Sequence, residues 1–167
     1  PHLKWIIAYA VAAAAFGLLD FLWLRWAAPS LYRPALGEVL APAFRPLPAI
    51  AFYLVYIGGI VWFAVRPALA PADPLALLGG VPLGVLSGAL LGALAYATYD
   101  LTNQATLKVW NSQITVIDIA WGAAATALAS GLASNAEPGK QIRRGAVVRA
   151  VRGSKGDWTL TQQPEVE

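Results

Sequence analysis

Residues 4–26 read KWIIAYAVAAAAFGLLDFLWLRW. Between Lys4 and Arg25 the only charged side chain is Asp20, and about 20 apolar residues in helical conformation span the roughly 30 Å hydrocarbon core of a bilayer. The run lacks a small-residue cleavage site and carries Trp5, Trp23 and Trp26 near its ends, so it reads as a retained transmembrane helix rather than a secretory signal. The whole chain agrees with this reading. Of its 167 residues 58% are hydrophobic and 13% charged, with a mean hydropathy of +0.58, against about 25% charged in an ordinary soluble domain.

Working outward, Pro29 is expected to end this helix, and the stretch to Pro48, broken by Pro34, Pro42 and Pro46, to form an interfacial connector. A second span runs from Ala49 to Val65 and stops at Arg66-Pro67. After the Pro-rich turn from Pro67 to Pro74, a third runs from Leu75 to Tyr99 and a fourth from Ile114 to Leu132, separated by a polar connector, Asp100 to Gln113. The expected fold class is an all-α membrane protein. Residues 1–134 make a four-helix transmembrane bundle, and residues 135–167 a polar tail with a β-hairpin signal, Val147 to Arg152 and Trp158 to Gln163 around Gly153–Asp157. Two strands are too few to fold alone, so the tail reads as a fragment or fusion remnant.

The side-chain inventory narrows the chemistry. There is no Cys and a single His, His2, which removes disulfides, thiolate zinc sites, Cys nucleophiles and Ser-His or Cys-His pairs within one chain. Carboxylates are left. The pI of about 9.4 does not imply nucleic acid, because much of the positive charge lies beyond Asn135.

The third span places Gly80, Gly84, Gly88 and Gly92 four apart, a face on which another helix can approach closely, and the same spacing continues to Tyr96 and Asp100. This stripe predicts an interior, packed third helix. Antiparallel threading then brings three acids to one membrane side. Asp20 lies six residues before Trp26, about 9 Å inside that helix end; Asp118 lies four residues past Ile114, about 6 Å in; Asp100 caps the third span. An Asp within a span costs about 2.5–3.5 kcal/mol on insertion scales, so each needs a bundle interior, a partner or a cavity. Two readings stand. The acids form a buried hydrogen-bonded network that fixes helix register, or they line a polar binding pocket or proton relay. Metal binding is not expected, since no loop has a recognised ligand spacing. The candidate ligand-binding residues are Asp20, Trp23, Tyr53, Tyr56, Tyr96, Tyr99, Asp100, Asn103, Lys108, Asp118 and Trp121.

Asp20-Phe21-Leu22-Trp23-Leu24, Phe52 through Gly59, Tyr96 through Lys108 and Asp118-Ile119-Ala120-Trp121-Gly122 together resemble a family of small bacterial predicted membrane proteins, domain of unknown function 2177, over residues 3–133. The resemblance implies a four-span protein of the bacterial inner membrane and supplies no reaction. In the tail, Arg143 through Arg149 and Gly156 through Glu167 resemble the stretch that precedes the transpeptidase domain in class A penicillin-binding proteins. No Ser-x-x-Lys or Lys-Thr-Gly occurs in the chain, so penicillin binding is not implied. A gene fusion, a truncated product or an assembly scar would each join the two pieces.

Orientation follows loop charge. Arg25, Arg33, Arg45 and Lys108 outweigh Lys4 and Arg66 and put the acid-rich side inside, as a periplasmic penicillin-binding-like tail also would; counting Lys140, Arg143 and Arg144 reverses the balance. The expected partners are the lipid bilayer, a small amphiphile or lipid ligand, and a homodimer or larger membrane complex, with no nucleic acid. The sequence identifies no cofactor and no catalytic constellation. Three functions compete: a binding or accessory module, a proton-coupled or small-molecule transporter, and a lipid-modifying enzyme with an Asp as general base.

Overall fold

The computed structural model describes residues 2–69, 82–136, 146–152 and 158–164. Four helices in it are long and apolar enough to cross a membrane: α1 (Leu3–Leu36), α2 (Pro46–Ala68), α3 (Leu83–Thr106) and α4 (Ser112–Asn135). At 1.5 Å per residue, even the shortest exceeds the roughly 30 Å of hydrocarbon. Their outward faces carry Leu18, Phe21, Leu22, Leu54, Val55, Leu90, Leu94, Val116 and Leu128, all exposed. Large apolar side chains thus dominate the outward faces, while the contacts between helices are rich in Ala, Gly and Ser, an arrangement lipid favours. The start of the third span and its Gly80 lie outside the described residues, as do Lys140, Arg143, Arg144 and the Gly153–Asp157 turn.

Pro29 does not end the first helix. The chain passes through it in a π turn, Ala28–Tyr32, in which the Arg33 N–H bonds the Ala28 carbonyl five residues back, and then resumes as Arg33–Leu36. Pro has no N–H to give the helical ladder, and the wider turn makes room for its ring. A second π segment, Ile60–Val65, follows Gly58-Gly59 in α2, which also starts earlier than expected because Pro46 suits the first helical position.

The polar stretch after Tyr99 is helical as well. Thr98, Thr102 and Thr106 donate their hydroxyls to carbonyls four residues back at 2.8, 2.6 and 2.8 Å, so they need no outside partner. Asp100 is therefore not a cap; it sits six residues before the helix end and is fully buried. At the start of α4, Asn111 caps the helix by accepting the Ile114 N–H at 3.0 Å.

Helix α3 is not the interior helix; α4 is. The glycine stripe buries one face of α3 only, whereas α4 packs on α1, α2 and α3. Its sequence explains this, because it presents two small-residue faces. Gly122, Thr126, Ser130 and Ser134 meet Gly84, Gly88, Gly92 and Tyr96 of α3 in steps of four, with Ser130 Oγ donating to the Gly84 carbonyl at 2.6 Å. Ala125, Ala129 and Ala133 meet Ala8, Ala12 and Phe16 of α1 and Ile57, Ile60 and Val65 of α2 in the main core. In the tail, β1 (Ala146–Arg152) and β2 (Trp158–Pro164) pair antiparallel, with Ala146 opposite Pro164 and Arg152 opposite Trp158.

Candidate functional site

A cavity of about 650 Å³ opens where the helices meet the α1–α2 and α3–α4 connections. Its wall comprises Asp20, Trp23, Leu24, Ala28, Tyr32, Arg33 and Leu36 of α1, Leu40 just beyond it, Phe52 and Tyr56 of α2, Ala95, Tyr96 and Tyr99 of α3, Trp110 of the connector and Asp118 of α4. The lining is mostly aromatic and aliphatic, with two carboxylates and one guanidinium.

Each carboxylate is held by a phenol. Tyr53 Oη donates to Asp20 Oδ2 at 2.5 Å, tying α2 to α1. Tyr32 Oη donates to Asp118 Oδ1 and accepts from Trp23 Nε1 at 3.1 Å, so a relay of donors runs from α1 to α4. Among the described residues no basic side chain forms an ion pair with either acid. Trp23 also stacks on Trp121, with ring centroids 4.6 Å apart and planes 7° from parallel. Tyr56 shares a 2.8 Å hydrogen bond with Thr126 Oγ1, which closes the floor over Phe16. Tyr96 reaches the cavity because residue 122 is Gly: a Cβ there would lie 2.2 Å from the Tyr96 ring.

Of the residues singled out from sequence, Asp20, Trp23, Tyr56, Tyr96, Tyr99 and Asp118 stand on the wall. Tyr53 and Trp121 stand behind it, Tyr53 on Asp20 and Trp121 on Trp23. Asn103 and Lys108 are off the wall, Asn103 half-buried on α3 and Lys108 exposed in the turn after it. Asp100 is off the wall too. It is fully buried, both of its oxygens lack a hydrogen-bond partner among the described residues, and it lies within electrostatic reach of Asp118. The described residues hold no group of three His, Cys, Asp or Glu side chains able to bind a metal ion.

Tyr32, Phe52 and Trp110 are not among the residues the sequence singles out, whereas Arg33, one of the basic residues expected on the acid side, stands on the wall. Tyr32 escapes because Pro29 reads as a helix stop, while the π turn that accommodates it carries the next residues onto the same bundle.

A family described as predicted membrane protein (DUF2177) matches residues 5–135. The chain belongs to this family. No curated protein and no solved structure matches it. Family membership covers all four spans and every residue of the cavity wall, and the family's description names no reaction.

Proposed function

We propose that the protein is a binding module of the bacterial inner membrane that receives a small amphiphile or lipid headgroup in the cavity beside Asp20 and Asp118. The observation that carries this reading is the pairing of a mostly apolar volume of about 650 Å³ with two carboxylates that accept hydrogen bonds from the phenols of Tyr53 and Tyr32. Such a pocket, apolar with a few converging polar groups, is the form small-molecule sites take. The cavity stops at the closed core of Phe16, Ile57, Ile60 and Ala125, which favours holding a ligand over passing it across the bundle. Loop charge supports placing the cavity end on the cytoplasmic face. Residues 1–134 act as the binding unit, alone, as a homodimer or docked beside a larger membrane enzyme, and residues 135–167 form an appendage.

Purification in mild detergent followed by mass spectrometry of released lipids and metabolites tests the reading. A ligand is expected at one per chain and is expected to be lost on Ala95→Phe, which fills the wall. A bundle that carries nothing and binds no amphiphile saturably overturns it, and proton-linked uptake by liposomes holding the protein would favour a transporter instead.

A further inference from the structure

We infer that the occupant of this cavity carries a positively charged organic head, an alkylammonium or related cation, seated between Asp20 and Asp118. This rests on the binding reading above and adds the chemical class of the ligand.

Charge argues first. The two acids come from different helices, α1 and α4, and border the same volume. Their hydrogen-bond partners among the described residues are neutral side chains, so whatever charge they carry has no basic counterpart among those residues, in a segment where unpaired acids are expensive. Asp100 adds to the imbalance. The α3–α4 seam sets Gly84 against Ser134, Gly88 against Ser130, Gly92 against Thr126 and Tyr96 against Gly122; one further step sets Asp100 against Asp118. A fully buried carboxyl with neither oxygen partnered among the described residues thus stands directly behind the wall. An anionic guest would meet these groups with no buried basic side chain among the described residues to receive it.

The walls argue second. Trp23, Phe52, Tyr56, Tyr96, Tyr99 and Trp110 surround the acids. Aromatic faces carry negative quadrupole charge and hold ammonium groups most strongly where water is excluded. The hydroxyl of Tyr32 is already donated to Asp118, so that phenol offers little to an anion. Arg33, the single basic residue on the wall, is exposed beyond the π turn at the cavity mouth, where it disfavours a cation and leaves the deeper acids as its seat.

The test uses the full chain in nanodiscs of phosphatidylglycerol, a lipid without an ammonium head, with empty discs subtracted. Quenching of tryptophan fluorescence is titrated with hexyltrimethylammonium, hexyl glucoside and hexyl sulfate, three head charges on one chain length. The ammonium should saturate the signal at least about tenfold more tightly than the glucoside, as a desolvated cation–π site allows, with the sulfate weakest. Asp118→Asn should abolish the preference for ammonium over glucoside, and Asp20→Asn serves if that variant does not fold. Equal affinities for ammonium and glucoside, or preference for sulfate, would overturn the cationic head and leave the binding module standing. A preference that survives both substitutions would overturn the seat between the acids. If none of the three saturates, the binding reading falls with the inference.

Discussion

Replacing Gly92 with Ala tests the helix seam where an added Cβ would come closest to the facing backbone. A Cβ built there lies 2.1 Å from the Gly122 carbonyl oxygen, 2.6 Å from its carbon and 2.7 Å from Thr126 Oγ1. Two of these atoms are backbone, so no rotamer change relieves them, and α4 must retreat by about 1.3 Å to restore an ordinary 3.4 Å contact. Overpacking of this kind costs about 1–3 kcal/mol. Against it stands the helix-propensity gain of Ala over Gly, about 0.5–1 kcal/mol. The clash should win by about 1–2 kcal/mol, and the retreat should loosen Tyr96 over Gly122 as well. Gly17 on α1 is the control, because a Cβ there meets nothing within 4 Å, so Gly17→Ala should gain about 0.5–1 kcal/mol. Reversible unfolding in mixed micelles, followed by tryptophan fluorescence, measures both. If Gly92→Ala equals or exceeds Gly17→Ala in stability, the α3–α4 register assigned here is wrong.

Three other substitutions probe the polar framework. Tyr32→Phe strands both the Trp23 indole N–H and Asp118 Oδ1, and should lower stability by about 1–2 kcal/mol in the same assay, toward the lower end for groups that border a cavity. Ser130→Ala removes the 2.6 Å bond to the Gly84 carbonyl and should cost only about 0.6 kcal/mol, the usual value for an interhelical hydrogen bond in a membrane, readable as a small shift in the unfolding midpoint. Asp118→Asn keeps an acceptor for Tyr32 and should leave folding intact, whereas Asp118→Leu leaves that hydroxyl without an acceptor and should destabilise by about 1–3 kcal/mol. Equal stability of the two would detach Asp118 from the framework.

The spans were legible because hydropathy and length report directly on a bilayer: the four helices fall where runs of about 20 apolar residues stand. The glycine stripe was legible as a packing face, but not as the face of a peripheral helix. Which helix becomes central depends on how many small faces the partner offers, and the Ala125-Ala129-Ala133 row of α4 is as apolar as a lipid-facing one in any hydropathy count. Asp20 and Asp118 could be placed at one depth from threading alone. The depth of Asp100 could not, because Thr98, Thr102 and Thr106 bond their own helix and carry it past the last apolar residue. Tyr32 was hidden by the rule that Pro stops a helix, a rule that a π turn evades.

Seam and cavity are two consequences of one gradient in residue size. Along α3 the face turned to α4 runs Gly84, Gly88, Gly92, then Tyr96 and Asp100. Where it is glycine, the helices close until the Ser130 hydroxyl bonds the Gly84 carbonyl of the opposite backbone. Where it becomes Tyr96, the ring fits only because Gly122 yields its side-chain space, and the aromatic residues of α1, α2 and α3 then fill the widening end incompletely. The void remaining is fixed at its edges by phenol–carboxylate bonds between α1 and α2 and between α1 and α4. Collapse of the cavity would stretch both bonds at once, and filling it with apolar side chains would strand them, so the acids hold the pocket open by the same contacts that make it polar. A pocket maintained in this way would be pre-organised for the proposed ligand, at little cost on binding.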